Sequence, residues 1–183
     1  MRVKELSLAG LKLVELKVYG DDRGFFTERF SATKFVGLGI PAQFVQDNHS
    51  RSKPGVIRGL HYQTDPAQGK LVGIVRGRVW DVAVDIRKDS PTYGKWEAVE
   101  LSDQNGRLLW IPAGFAHGFC VLGDEPADMI YKVDAPYSAK TEGGIRFDDP
   151  DLKVEWPVAR PLVSNRDEVM PSFKDYSQNP AFY

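Results

Sequence analysis

The sequence predicts an all-β fold, a jelly-roll barrel with short helices and an irregular C-terminal tail. Three observations carry that prediction: apolar and polar residues alternate over short segments, turn chemistry separates those segments, and helical periodicity is scarce. The first segment runs from Leu11 to Val18 and ends at the turn Gly20-Asp21-Asp22. Ser31 is placed to cap a short helix through Thr33-Lys34-Phe35-Val36, which Gly37 and Gly39 end. Lys70 to Val75 is the next strand, turned at Arg76-Gly77 into Val79 to Arg87. There Trp80, Val82, Val84 and Ile86 share one face, while Asp81, Ala83, Asp85 and Arg87 share the other, which predicts one buried and one polar face. Ser90-Pro91-Thr92 leads to Trp96–Leu101, and Asp103-Gln104-Asn105-Gly106 leads to Arg107–Ile111. Phe119 to Leu122 and Asp128 to Val133 flank the turn Gly123-Asp124-Glu125-Pro126. From Pro150 the chain is rich in proline and polar residues yet holds Trp156, Phe173 and Tyr183, so it reads as irregular structure wrapped on the barrel. Many short strands of this kind close well as a jelly roll. No linker, repeat or low-complexity stretch interrupts them, and residues 1–183 read as one domain.

A chain of 183 residues is long enough for one proper core. Its net charge of −1 gives no extended basic surface for nucleic acid, so a bound anion must be gripped locally by a few placed arginines and lysines. The single cysteine, Cys120, excludes an intramolecular disulfide and a Cys-rich zinc site, and within Gly118-Phe119-Cys120-Val121-Leu122 it reads as a small buried hydrophobe. Charges at Arg2, Lys4 and Glu5 stand where a secretion signal needs apolar residues, and no run approaches the roughly 18 apolar residues of a membrane span. The expectation is a soluble, cytoplasmic protein with no membrane partner.

Two Gly-rich segments bear histidines: Gly55-Val56-Ile57-Arg58-Gly59-Leu60-His61-Tyr62-Gln63, and Ile111-Pro112-Ala113-Gly114-Phe115-Ala116-His117-Gly118-Phe119. Pro-x-Gly-x-x-His leading into a strand resembles the second motif of cupins, which implies a cupin-type barrel. Metal-binding cupins carry His-x-His and a glutamate in the first segment, whereas His61-Tyr62-Gln63 has neither the second imidazole nor a carboxylate. The only other histidines are His49 and His117, and two imidazoles without a carboxylate make a poor first-row metal site. The chemistry is expected to need no metal.

A histidine, with a pKa of about 6.5, can remove a proton near neutral pH. A C–H proton leaves only when an adjacent carbonyl stores the charge as an enolate, and that oxygen needs a cationic or hydrogen-bonding group, for which Lys70 is the natural candidate. Tyr131, sharing a face with Met129 and Val133, can deliver a proton from the side opposite the base and so invert the carbon. Asp167 is a candidate to orient the imidazole, though sequence logic alone does not single it out. Taken singly, Tyr131 also reads as a core aromatic, Lys70 as a solvated strand end, Arg23 as a turn residue and a barrel histidine as structural. Their joint occurrence carries the functional reading.

Those segments, with Asp22-Arg23-Gly24-Phe25-Phe26-Thr27-Glu28, Phe44-Val45-Gln46-Asp47-Asn48-His49-Ser50, Gln68-Gly69-Lys70-Leu71-Val72, Asp81 to Arg87, Ser90 to Gly94, Tyr131-Lys132 and Glu142-Gly143-Gly144-Ile145, stand in the order found in the dTDP-4-dehydrorhamnose 3,5-epimerases. The chain resembles that family from about residue 20 to residue 170. The resemblance implies that His61 is the general base, Asp167 its partner, Tyr131 the general acid and Lys70 the group that steadies the enolate at the sugar C4 oxygen. It implies that Arg23, Glu28, Gln46, Asp47, Asn48, Arg58, His117, Glu142 and Arg166 hold the nucleotide-sugar, and that Tyr137 stacks on the thymine. Arg23 and Arg58 suit forked bonds to pyrophosphate oxygens. The resemblance further implies a cupin jelly roll, a homodimer whose N-terminal strand region reaches into the partner's site, and no cofactor, because the substrate's own carbonyl is the electron sink. Arg166 stands where the family often has lysine, Ser138-Ala139 follow Tyr137 where a proline is common, and Phe147 replaces a frequent tryptophan. Open beside inversion at both carbons are a monofunctional 3- or 5-epimerase, a metal-dependent cupin enzyme and a non-catalytic nucleotide-sugar binding module.

Overall fold

The computed structural model describes residues 1–183 and holds thirteen strands and three short helices. One sheet has six strands in the order β1 (Arg2–Glu5), β2 (Lys12–Glu15), β10 (Arg107–Ile111), β7 (Lys70–Arg76), β12 (Ala127–Val133) and β5 (Gln46–Ser52). The other has five, β13 (Glu142–Gly144), β6 (Ile57–Gln63), β11 (Phe115–Val121), β8 (Arg78–Asp85) and β9 (Trp96–Ser102). Neighbours pair antiparallel throughout, and a separate hairpin joins β3 (Val18–Asp21) to β4 (Gly24–Thr27). The expected all-β, cupin-type jelly roll is the architecture found.

Three apolar layers hold it. Between the sheets, Leu13, Val72, Ile74, Leu109, Ile111 and Met129 meet Val79, Ala83, Leu101, Phe115, Phe119 and Val121. Outside the six-stranded sheet, Val14, Leu71, Leu108 and Trp110 are covered by Phe35 of α1 (Ala32–Gly37) and by Ile40. Outside the five-stranded sheet, Leu60, Val82, Val84, Ile86 and Ala116 are covered by Ile145, Leu152 and Tyr176 of the tail. Removing such area from water contributes about 25 cal/mol per Å², so a tail that covers a whole sheet face is part of the core.

This arrangement corrects the reading of β8. Its Trp80–Ile86 face does not point between the sheets; it packs under the tail. The face with Asp81, Ala83 and Asp85 is the inward one, and all three residues are buried. Asp85 is satisfied there by Arg87 at 2.9 and 2.8 Å, by Thr92 Oγ1 at 2.6 Å and by Ser90 Oγ at 2.5 Å. The tail is also more regular than expected, with α2 (Asn165–Glu168) and α3 (Phe173–Gln178), each N-capped by a serine hydroxyl. Tyr176 Oη donates to the Ile86 carbonyl at 2.7 Å and ties α3 to the sheet. Trp156 and Phe173 pack as expected, whereas Tyr183 stays exposed and Phe182, half-buried, packs against the layer instead. α1 lies where the cap signal put it, but the Ser31 side chain makes no cap bond. The segment from Leu11 divides after Glu15, so that Val18–Asp21 leaves the sheet for the hairpin. Cys120 is buried as expected, and burial pushes its thiol up to about 11.

One irregularity shapes the site. Across β6 and β11, His61 pairs with His117 while Arg58 pairs with Phe119, so β6 carries one extra residue at Gly59-Leu60. In an unbroken strand, residues three apart face opposite ways; the bulge lets Arg58 and His61 face the same cavity while Leu60 goes to the layer under the tail. Gly59 has φ +129°, and a Cβ there would lie 2.5 Å from Gly118 Cα. Gly59→Ala is therefore expected to cost about 3 kcal/mol or more, the sum of left-handed strain and overpacking. The urea-unfolding midpoint checks this, and a midpoint within error of the parent would show that the two strands separate freely.

Candidate active site

Neither the hollow of about 340 Å³ at the hairpin nor that of about 400 Å³ along the tail gathers a histidine with a lysine and a tyrosine. A more enclosed cavity of about 170 Å³ between the sheets does. Its walls are Arg58 and His61 of β6, Lys70 of β7, His117, Gly118 and Phe119 of β11, Met129 and Tyr131 of β12, and Ser50 of β5.

His61 Nε2 lies 2.6 Å from Asp167 Oδ1. Asp167 is the third residue of α2, and its second oxygen accepts from the Gly59 N–H at 3.4 Å. Burial works against ionising Asp167, but the bond and charge of His61, with Gly59 and Ser164, outweigh it and hold this carboxyl below its ordinary value. An ionised Asp167 fixes the proton on Nε2 and leaves Nδ1 as the free, basic nitrogen of the ring.

Lys70 begins β7 and makes no hydrogen bond or ion pair within the chain, so its ammonium is a donor without an acceptor beside the cavity. Burial lowers its pKa, opposed by the charges of Glu142 and Asp81. Tyr131 packs against the inter-sheet core with its phenol at the cavity; burial raises its pKa, with Arg58 acting the other way, so the hydroxyl keeps its proton at neutral pH. His117 faces His61 across the strand pair, and its Nε2 lies 2.9 and 3.0 Å from the two oxygens of Asp81. Burial raises the Asp81 pKa against the influence of His117 and Lys70. Each cavity imidazole is thus turned by Nε2 onto its own carboxylate, His61 onto Asp167 and His117 onto Asp81, and no group of three His, Cys, Asp or Glu side chains converges as a metal site.

At the rim, Glu142 Oε2 accepts from Tyr137 Oη at 2.9 Å and from Arg166 Nη2 at 2.6 Å. Gln46 Oε1 accepts from the Tyr137 N–H at 3.1 Å, and Gln46 Nε2 donates to Asn48 Oδ1 at 2.8 Å. Arg58 Nε donates to Ser52 Oγ at 2.9 Å. The fold therefore brings together His61, Asp167, Lys70, Tyr131, His117 and Arg58, with Gln46, Asn48, Tyr137, Glu142 and Arg166 around the mouth.

Three candidates lie elsewhere within one chain. Asp47 alternates to the outer face of β5, where it pairs with Lys132 at 2.7 Å. Arg23 sits at the tip of the β3–β4 hairpin, 90% exposed and paired with Asp21 at 2.6 Å. Glu28 follows that hairpin and pairs with Lys34 at 2.7 Å. The residue sequence reasoning missed is Asp81. Its signal was present as a carboxylate on the β8 face that alternation had labelled polar, which the fold turns inward.

The family model described as dTDP-4-dehydrorhamnose 3,5-epimerase matches residues 5–175. A dTDP-4-dehydrorhamnose 3,5-epimerase of Shigella flexneri is 54% identical over 169 residues, covering 91% of this chain and 93% of that protein. The dTDP-6-deoxy-D-glucose-3,5-epimerase of Legionella pneumophila, solved with dTDP-4-keto-L-rhamnose, superposes with a TM-score of 0.91 at 47% identity, covering 94% and 93% of the two chains. A 3'-monoepimerase of Streptomyces bikiniensis, solved with dTDP-quinovose, superposes at 0.90 with 33% identity, covering 97% and 90%. No helix here is long and apolar enough to cross a membrane. With its fold, its motifs and its length all matched, the chain belongs to the dTDP-4-dehydrorhamnose 3,5-epimerase family.

Proposed function

We propose that the chain inverts C3 and C5 of dTDP-4-dehydro-6-deoxy-D-glucose to give dTDP-4-dehydro-L-rhamnose, as a cytoplasmic, single-domain, cofactor-free isomerase of dTDP-L-rhamnose biosynthesis. The observation that carries the reading is one cavity in which the His61–Asp167 pair shares the walls with an unpartnered Lys70 and the phenol of Tyr131. His61 Nδ1 takes the proton from C5, and the C–H electron pair moves into the C4–C5 bond as the carbonyl pair moves onto the C4 oxygen. Lys70 meets that oxyanion with a donor already in place, so little reorganisation is needed. Tyr131 returns a proton to C5 from the opposite face and recovers its own through solvent, while His61 loses the one it took. The same cycle at C3 completes the inversion, and no redox group enters because the substrate's carbonyl holds the electrons.

Arg58, Arg166 and Arg23 are assigned to the diphosphate, with Glu28, Gln46, Asp47, Asn48, His117 and Glu142 completing the binding of the nucleotide-sugar and Tyr137 stacking on its base. Arg23 and Glu28 lie on a projecting arm whose Tyr19, Phe25 and Phe26 are more than half exposed. Two strands of four residues rarely stand alone in water. A homodimer in which each arm lies on the other subunit covers those rings and carries Arg23 to the partner's cavity.

The test follows product: the 4-keto substrate with the purified protein and a downstream reductase yields a nucleotide-sugar inverted at both C3 and C5, since an L-sugar by itself needs only C5 to invert. Tyr131→Phe is expected to slow inversion about 10²-fold or more while C–H exchange falls less. Equal loss of exchange and inversion would remove Tyr131 from the acid role, and a product inverted at C3 alone would make the chain a 3-epimerase.

A further inference from the structure

Gln63 stands where His-x-His would put its second imidazole, and none of the steps above uses it. It ends β6, pairs with Glu142 of β13 and is only 3% exposed. Its amide is committed to backbone: Nε2 donates to the Pro66 carbonyl at 2.7 Å and to the Pro136 carbonyl at 3.0 Å, and Oε1 accepts from the Ser138 N–H at 2.8 Å. Two of those bonds grip the chain on either side of Tyr137. The Tyr137 N–H itself is held by Gln46 Oε1 at 3.1 Å, and the Ala135 carbonyl accepts from Gln68 Nε2 at 2.8 Å. Residues 136–138 lie in no strand or helix, so glutamine amides supply the partners that a ladder would give.

That bracing serves a ring outside the core. Tyr137 is 54% exposed, joins none of the apolar layers, and donates its hydroxyl to Glu142 at the cavity mouth. A ring on a loose loop loses freedom when a ligand stacks on it; a ring on a braced loop has lost it at folding, and the affinity gains the difference. We infer that Gln63 is a positioning residue for nucleotide binding: it fixes the backbone of residues 135–138 so that Tyr137 is a preformed platform for the base. The inference rests on the assignment of Tyr137 to the base.

The test is Gln63→Met, which keeps the length of the side chain and removes all three bonds. We expect the inhibition constant of dTDP to rise about tenfold, part of what one stacked base is worth. That of inorganic pyrophosphate, which has no base, stays within about twofold, and kcat at saturating substrate stays within about threefold. Because Gln63 acts through Tyr137, the same change made in a Tyr137→Ala enzyme costs less than about twofold in dTDP affinity. A dTDP constant within about twofold of the parent overturns the inference. So does a loss that persists in Tyr137→Ala, one shared by pyrophosphate, or one confined to kcat. A merely structural glutamine would lower the thermal midpoint without this split between base and phosphate. Should Gln63→Met not fold, amide exchange of the parent by NMR decides. The Tyr137 and Ser138 N–H groups are expected to exchange about 10²-fold or more slower than in an unstructured chain before any ligand is added. Exchange at the unstructured rate, slowed only once dTDP is bound, overturns it. The two readings fail separately: a Tyr137→Ala enzyme that binds dTDP as the parent does ends the assignment of Tyr137, whereas a weakened Tyr137→Ala beside an unchanged Gln63→Met ends only this inference.

Discussion

His61→Asn lowers deuterium exchange at C3 and C5 about 10³-fold or more, while dTDP binding stays within about tenfold of the parent. Asparagine keeps a polar group near Asp167 Oδ1, so the 2.6 Å contact that ties α2 to β6 is weakened and not left as an unpaired buried charge. What disappears is Nδ1, the one basic nitrogen that the Asp167 contact leaves free. Exchange measured by proton NMR in D2O, with dTDP affinity by calorimetry, separates the two effects. Exchange near the parental rate would take the base role from His61, and the other imidazole of the cavity, His117, would be the next to test.

Lys70→Met is expected to lower kcat about 10²- to 10³-fold, the usual cost of removing one donor from a developing oxyanion. The same change should leave the thermal midpoint unchanged or raised, because an ammonium with no hydrogen bond is replaced by an apolar chain of similar length in a largely enclosed position. That pairing of lost rate with kept stability is what a functional role predicts. A lower midpoint with little loss of kcat would make Lys70 structural.

How much of this could be read from the chain depended on the strand. Where both faces are apolar, as in Lys70–Arg76 or Arg107–Ile111, a short apolar run bounded by turn residues located the strand to within a residue. Gln46–Ser52 is a strand without an apolar face, so periodicity was silent there; its inward side chains are Gln46, Asn48 and Ser50, and its outward ones pair with Lys132 and Asp128. In β8 alternation was seen correctly and its apolar face is buried, but under a tail more than sixty residues away, so that the face labelled polar is buried as well, between the sheets, with Asp81 inside. Asp167 is 106 residues from His61, a separation over which no local pattern can announce a contact; the resemblance named it and the fold supplies the distance. Asp47 beside Asn48 shows the reverse limit, since adjacent residues of one motif part to opposite faces of the strand.

The measurement that bears most directly on the account is proton NMR of the parent protein with dTDP-4-dehydro-6-deoxy-D-glucose in D2O. Deuterium is expected at both C3 and C5, each entering once per inversion. No exchange at either carbon, with dTDP still bound, would contradict it and leave a binding module in the place of an enzyme.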